Sequence, residues 1–220
     1  MYGLLGGAIL AIGVMAMAPW AWRRTKRTGI DFPIYYLTGT VGKPMPGFVY
    51  SDLTIPAWRL LARLRYDDAL ALMTGLTMVA AVFLYAAICG MTRDGLGLVP
   101  IALALLWIVS YSVRHGNITT ICAALCLHPV GTLVAGCYKP HLLLFLVLHV
   151  WVGSLDPVLW ALLGFGIGCL FWPEPAQIRA DMEFHERRDG RGRRFGQFGR
   201  YILRKDNAVY LVTAWVLVMR

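Results

Sequence analysis

The stretch DALALMTGLTMVAAVFLYAAIC (residues 68–89) carries a single charged residue, Asp68, at its first position. A helix needs about 20 predominantly apolar residues to cross the hydrocarbon core of a bilayer, and this stretch is long enough. A second apolar run, residues 96–113, follows after a loop of a few polar and glycine residues. The two runs predict two membrane spans joined by a tight turn.

The composition extends this prediction to the whole chain. Of its 220 residues, 58% are hydrophobic and only 15% are charged, and the mean hydropathy is +0.60. A soluble domain usually carries roughly 25% charged residues to keep its surface hydrated. We therefore expect one all-α membrane domain, residues 1–220, folded as a polytopic bundle of six or seven spans in the cell membrane.

The remaining apolar runs give the rest of the predicted spans. The run at 118–138 is interrupted at His128 and Pro129, so it predicts either a kinked span or a segment that enters the membrane and returns. Residues 56–65 alternate apolar and basic residues, which predicts an amphipathic helix at the membrane surface. Further spans are predicted at 3–22, 141–155, 157–172 and 207–219, with a basic loop at 173–206.

The net charge of +9 is concentrated in short basic segments, mainly residues 23–27 and 187–205. Such segments beside membrane spans predict contact with anionic lipid headgroups, and nucleic acid is not expected as a partner. The five cysteines lie in apolar stretches, where they are typical packing residues. No metal site and no cofactor is predicted; haem or chlorophyll bound by His128, His141 and His149 is the weaker alternative.

Asp31 is the first candidate for chemistry. It follows the first apolar run and precedes Phe32, Tyr35 and Tyr36. A carboxylate in aromatic surroundings can act as a general base on a hydroxyl group. The alternative is a solvated aspartate in a loop.

Two further segments could contact a charged headgroup. Arg114, His115 and Asn117 lie at the edge of a predicted span, where they would line a headgroup pocket or form an ordinary junction between helices. Lys139 and His141 lie between two apolar runs. A lysine there pairs with an anion such as a phosphate, or extends its ammonium group to the membrane surface.

The order of these segments resembles the GT-C glycosyltransferases. The resemblance is nearest to the family 87 polyprenyl-phosphate-mannose-dependent mannosyltransferases, and it covers residues 1–150. It rests on a first span followed by Asp-Phe-x-x-Tyr-Tyr at 31–36, Phe-Val-Tyr at 48–50, Pro56, His-Gly-Asn at 115–117 and Ala-Gly-Cys-Tyr-Lys-Pro-His at 135–141. It implies a membrane enzyme that transfers a sugar from a polyprenyl-phosphate donor to a lipid or glycan acceptor.

The resemblance also implies roles for individual residues. Asp31 would be the base that activates the acceptor, and Arg114 and Lys139 would neutralise the phosphate of the donor. Tyr35 and Tyr36 would border the sugar pocket. The implied partners are membrane lipids and the lipid-linked sugar donor.

A different class of protein is left open by the same sequence. Short spans, tryptophans at the membrane surface and a basic connection also suit a structural or accessory subunit of a larger membrane complex. In such a subunit Asp31 would be a loop residue, and the chain would not be an enzyme.

Overall fold

The computed structural model describes residues 31–48, 50–89, 98–138 and 155–171, together with Ala8, Ile12, Gly13 and Ala16, which are helical. These residues form helices joined by turns, and no strand occurs among them. The predicted all-α class is therefore confirmed for this part of the chain. The helices are α1 (Phe32–Val41), α2 (Ile55–Leu61), α3 (Tyr66–Cys89), α4 (Leu98–His115), α5 (Thr119–Leu125), α6 (Pro129–Tyr138) and α7 (Asp156–Leu170), and a 3-10 turn (Asp52–Thr54) precedes α2.

Helix α1 lies between the predicted span at 3–22 and the predicted amphipathic helix at 56–65, where no element was predicted. Asp31 occupies the position before the helix, and Pro33 lies in its first turn, where a missing N–H costs nothing. Gly42 ends the helix in the left-handed conformation, with φ 73°, and its N–H donates to the Thr38 carbonyl over 2.8 Å. Both are ordinary start and stop signals, so α1 was predictable from local sequence.

Helix α3 covers the apolar stretch at residues 68–89. Its segment Tyr66–Ala87 contains 18 consecutive residues with a mean hydropathy of 2.0, and among the described residues it is the one helix long and apolar enough to cross a membrane. One side of α3 packs on the rest of the chain, and the other leaves Leu72, Leu76, Val79 and Phe83 exposed. Phe83 retains 63% of its accessible surface. Spanning of the membrane by α3 and by the other helices stays a prediction.

Two other predicted segments differ from the structure in their bounds. The amphipathic helix predicted at 56–65 ends at Leu61, because the N–H groups of Arg63 and Leu64 donate to carbonyls three residues back and tighten the chain into a turn. The predicted run at 118–138 contains two helices, α5 and α6, with the break at residues 126–128.

Several predicted segments lie outside the described residues. They are the span at 3–22 except for the four helical positions, the span at 141–155 except for Leu155, the end of the span at 157–172, the span at 207–219 and the basic loop at 173–206. The predicted span at 96–113 corresponds to α4, which ends two residues later, at His115.

Helices α6 and α7 pack closely because glycine lies at their crossing. A Cβ atom added to Gly164 would lie 2.0 Å from the Leu133 carbonyl oxygen, and one added to Gly136 would lie 2.8 Å from the Ala161 carbonyl oxygen. The Cys137 thiol donates to the Gly164 carbonyl over 3.1 Å. Small residues at helix crossings are the usual way in which membrane helices approach each other.

A cluster of aromatic rings joins α1, α2 and α3. Tyr35 stacks on Trp58 with ring centroids 4.5 Å apart, and its hydroxyl forms a 2.6 Å hydrogen bond with that of Tyr50. Phe32 packs edge-on against Tyr66, the first residue of α3, at 5.3 Å. Offset and edge-on ring pairs stabilise a core beyond the area they bury. We call Phe32, Tyr35, Tyr50, Trp58 and Tyr66 the aromatic cluster.

The crossing of α6 and α7 predicts opposite effects of two alanine substitutions in one helix. Gly164→Ala is expected to lower the free energy of unfolding by about 1–3 kcal/mol, because its Cβ overlaps a backbone oxygen. Gly166→Ala meets no atom within 4 Å and is expected to raise it by about 0.5–1 kcal/mol through helix propensity. Thermal unfolding of the purified variants measures both; equal effects would mean that the helices do not cross at Gly164.

Candidate functional site

The candidate site lies where the start of α1 meets the end of α4. The Asp31 N–H donates to the His115 carbonyl over 3.1 Å, and the Asp31 carbonyl accepts from the N–H groups of Ile34 and Tyr35 in the first turn of α1. The backbone of Asp31 is thus held from both sides. We call Asp31, Arg114, His115, Gly116 and Asn117 the Asp31 corner.

The end of α4 is a glycine-closed turn. The Gly116 N–H donates to the Val113 carbonyl over 3.1 Å, and the Asn117 N–H donates to the Ser112 carbonyl over 2.9 Å. This is the pair of bonds that closes a Schellman motif, which needs a left-handed residue at the glycine position. Gly116 has φ 64°, and a Cβ there would lie 2.5 Å from the Phe32 Cβ. Glycine therefore satisfies both the turn and the close approach to α1.

Asn117 connects this turn to the Asp31 carboxylate. Its side-chain NH2 donates to Asp31 Oδ2 over 2.8 Å, although the two residues are 86 positions apart in sequence. Its side-chain oxygen accepts from the Thr119 N–H over 2.9 Å and from the Thr119 hydroxyl. Asn117 is 2% exposed, and Thr119 is fully buried. An acidic and an amide side chain are therefore joined at a half-buried position.

Two basic residues flank this contact at the end of α4. Arg114 is half-buried, and its Nε is a buried atom with no hydrogen-bond partner among the described residues. The ring of His115 lies against that of Tyr111, with centroids 4.2 Å apart. Positive charge at the C-terminal end of a helix is favoured by the helix dipole. The corner thus combines one carboxylate with two basic side chains.

The two predicted pocket tyrosines occupy different environments. Tyr35 is 2% exposed, because it lies within the aromatic cluster. Tyr36 is half-buried, and its hydroxyl donates to the Leu64 carbonyl over 2.8 Å. Both belong to α1, one turn from Asp31. Their role at a sugar pocket stays a prediction.

Lys139 and His141 lie outside the described residues. The chain that leads to them is described as far as Tyr138, whose ring packs edge-on against Trp58 at 6.0 Å. Trp58 in turn stacks on Tyr35. The chain just before Lys139 therefore contacts the aromatic cluster that borders Asp31.

The histidines considered for a pigment or haem are not gathered in the described region. His128 is exposed in the turn between α5 and α6, and His141 and His149 lie outside the described residues. Within the part of the chain that the structure describes, no three His, Cys, Asp or Glu side chains are placed to hold a metal ion.

Asp52 is a second carboxylate that the sequence did not single out as a site. Its N–H donates to the Phe171 carbonyl over 2.8 Å, and the neighbouring Ser51 hydroxyl donates to the Gly168 carbonyl. One oxygen of the Asp52 side chain is buried with no hydrogen-bond partner among the described residues. Burial raises the pKa of the Asp52 carboxyl above its ordinary value of 3.8.

Comparison with known proteins does not identify the chain. No protein-family model, no curated protein and no solved structure matches it.

The raised pKa of Asp52 predicts how its replacement changes stability. The folded chain binds the Asp52 proton more tightly than the unfolded chain, so this group costs stability as pH rises above 3.8. Asp52→Asn is expected to leave the melting temperature unchanged or raised at pH 7, with a smaller gain at pH 4.

Asp68→Asn is the matched control, because Asp68 lies in the first turn of α3, where negative charge is favourable. This variant is expected to lose about 0.3–1 kcal/mol. Thermal unfolding at the two pH values measures both effects. A lower melting temperature of Asp52→Asn at pH 7 would show that the ionised Asp52 is stabilising.

Proposed function

We propose that this chain is a multi-pass membrane glycosyltransferase of the GT-C type, which transfers a sugar from a polyprenyl-phosphate donor to a lipid or glycan acceptor. The observation that carries the proposal is the hydrogen bond between Asn117 and the Asp31 carboxylate. It joins two segments that are far apart in sequence and that the resemblance implied as parts of one site. They are the aspartate after the first apolar run and the polar turn after α4.

The exposed apolar surface supports placement in a membrane. Besides the outer side of α3, the side chains of Leu159, Leu162, Leu163 and Leu170 on α7 are exposed. A monomeric soluble protein rarely exposes large contiguous apolar patches, whereas lipid tails cover such side chains without cost.

The position of the Asp31 corner supports chemistry on a headgroup. Phe32 follows Asp31 directly and packs on Tyr66, the residue at which the candidate span begins. His115, at the other side of the corner, is the last residue of α4. The corner thus lies at the level where α3 starts and α4 ends. In a bilayer this is the depth of phosphate and sugar groups.

The proposed reaction uses Asp31 as a base. The acceptor hydroxyl oxygen forms a bond to the anomeric carbon of the donor while the bond from that carbon to the phosphate oxygen breaks. The hydroxyl proton passes to the Asp31 carboxylate, and the lipid phosphate leaves with the bonding electrons. Attack opposite the leaving group inverts the anomeric carbon.

The leaving phosphate needs positive charge beside it. Arg114 supplies a planar guanidinium group at the corner, and its buried Nε has no hydrogen-bond partner within the described part of the chain. An arginine is suited to this role because its donors match phosphate oxygens in pairs. Lys139 is proposed as a second cation, on the sequence argument alone.

Membrane integration predicts a simple fractionation result. The chain is expected to stay with the membranes after extraction at alkaline pH, because lipid-covered helices are not released when electrostatic contacts are removed. A peripheral protein treated in parallel is the control. Release of the chain into the supernatant would contradict multi-pass insertion.

Replacement of Asp31 tests the proposed base. Asp31→Asn keeps an oxygen that accepts the Asn117 hydrogen bond, so the fold is expected to persist with a similar melting temperature. The rate of sugar transfer is expected to fall about 10²–10⁴-fold, the usual contribution of a general base. The measurement is transfer from synthetic polyprenyl-phosphate sugars in detergent or nanodiscs.

Asp52→Asn is the matched control for charge removal and is expected to keep the parental rate. Unchanged turnover in Asp31→Asn would remove Asp31 from catalysis. If the parental chain transfers no sugar and instead copurifies with other membrane proteins at a fixed ratio, the accessory-subunit alternative is favoured.

A further inference from the structure

Asn117 has a fixed side-chain orientation. The two donors of Thr119, its N–H and its hydroxyl, both require the carbonyl oxygen of the Asn117 amide on their side. The NH2 group must therefore point the other way, to Asp31 Oδ2. A rotation of the amide by half a turn would break the bonds to the Thr119 N–H and to Asp31, because two donors or two acceptors would then face each other. Asn117 consequently presents a donor, and never an acceptor, to the carboxylate.

The turn that carries Asn117 is itself rigid. Its backbone is closed by the bonds to Val113 and Ser112, and the Thr120 hydroxyl donates to the Ser112 hydroxyl over 2.9 Å. Ser112 and Thr120 are both fully buried. These contacts hold the turn independently of Asp31. The position of Asn117 is therefore fixed, and the Asp31 carboxylate is oriented by its hydrogen bond to Asn117.

We propose that Asn117 is a positioning residue for Asp31, which fixes the rotation of the carboxylate so that the acceptor proton is taken in one geometry. Its buried side chain acts on Asp31 and not on the substrate. The inference rests on the proposed function, because it takes Asp31 to be the base. It goes beyond that proposal by naming the group that makes the base effective.

The first test is Asn117→Ala, which removes the donor. The value of kcat per folded molecule is expected to fall at least about tenfold with KM within about twofold, because the substrate contacts are kept while the base loses its orientation. A purely structural role would reduce the folded fraction and leave kcat per folded molecule unchanged.

The sharper test is Asn117→Asp, which keeps the shape and both acceptor bonds to Thr119. Ionised carboxylates at 31 and 117 would stand within 2.8 Å of each other, and one must take up a proton to relieve the repulsion. When residue 117 carries that proton it donates to Asp31, as the natural amide does. The ratio of variant to parental kcat is therefore expected to rise as pH is lowered from about 8 to about 5.

Among the described residues, the ionisable groups nearest this pair lie on three helices. Tyr111, Arg114 and His115 lie at the end of α4. Tyr36 lies on α1, and Tyr66, Asp67 and Asp68 lie at the start of α3, beyond Phe32. The start of α5 contributes Thr119 and Thr120, which do not titrate in this range. All of them are present in both proteins, so their titration cancels in the ratio of rates.

A stability measurement separates this inference from the proposed function. The melting temperature of Asn117→Asp is expected to fall relative to the parent between about pH 5 and about pH 8, whether or not transfer is detected. Thr120→Val is the control that weakens the same turn, and its melting-temperature difference and rate ratio are expected to be independent of pH.

The outcomes are distinct. Equal melting temperatures of Asn117→Asp and the parent at every pH would overturn the contact. A pH-dependent melting temperature with parental kcat in both Asn117 variants would overturn the positioning role while leaving Asp31 as the base. A parental chain without transfer activity would overturn the proposed function and reduce Asn117 to a structural partner of Asp31.

Discussion

The close approach of Gly116 to Phe32 is the constraint on which the described site depends. A turn that ends α4 and a helix that begins 84 positions earlier can share hydrogen bonds only if their backbones come within contact distance. Any side chain larger than hydrogen at Gly116 would place its Cβ against the Phe32 Cβ. The left-handed φ of the same residue adds a second reason for glycine. One small residue thus permits the whole Asp31 corner.

The aromatic cluster connects this close approach to α2 and α3. Phe32 contacts Gly116 on one side and Tyr66 on the other, so it links α1 to both α4 and α3. Tyr35, one turn later, stacks on Trp58 of α2. Of these two residues of α1, Tyr35 is one of the pair that the resemblance implied at a sugar pocket. Its burial shows that the packing role alone would account for Tyr35.

The sequence predicted some elements well because their signals are local. An apolar run such as residues 68–89 is enough by itself to predict a helix, and Pro129 is enough by itself to predict the break in the run at 118–138. Helix α1 was not predicted because its ten residues are too few to form a long apolar run, although Pro33 and Gly42 mark its two ends. The amphipathic helix was predicted too long because its alternating pattern continues into a tightened turn that the pattern cannot distinguish.

The hydrogen bond between Asp31 and Asn117, in contrast, is a long-range contact that no local sequence signal predicts. No periodicity or spacing relates residues 86 positions apart, and each side chain alone was compatible with an ordinary loop or junction. What the sequence did contain was the glycine between His115 and Asn117, the one residue type that lets such a turn approach another backbone. The turn fixes the backbone of the residue that follows a helix-ending glycine, and the bonds to Thr119 then give the Asn117 side chain a defined direction.

The donor that Asn117 presents to Asp31 lies near several charged side chains at the end of the candidate span. Lys43, Arg59, Arg63 and Arg65 are all exposed in the segments between α1 and α3, on the side of the chain where α3 begins. A positive surface of this kind draws anionic groups toward it and raises their local concentration. The same end of α3 also carries Asp67 and Asp68, so the described surface there is not positive throughout. Asp31 differs from these two carboxylates because the Asn117 amide donates to it and the basic end of α4 lies beside it. In the proposed reaction, this hydrogen bond and these basic side chains would reduce the repulsion that a lone carboxylate in the same place exerts on an anionic donor.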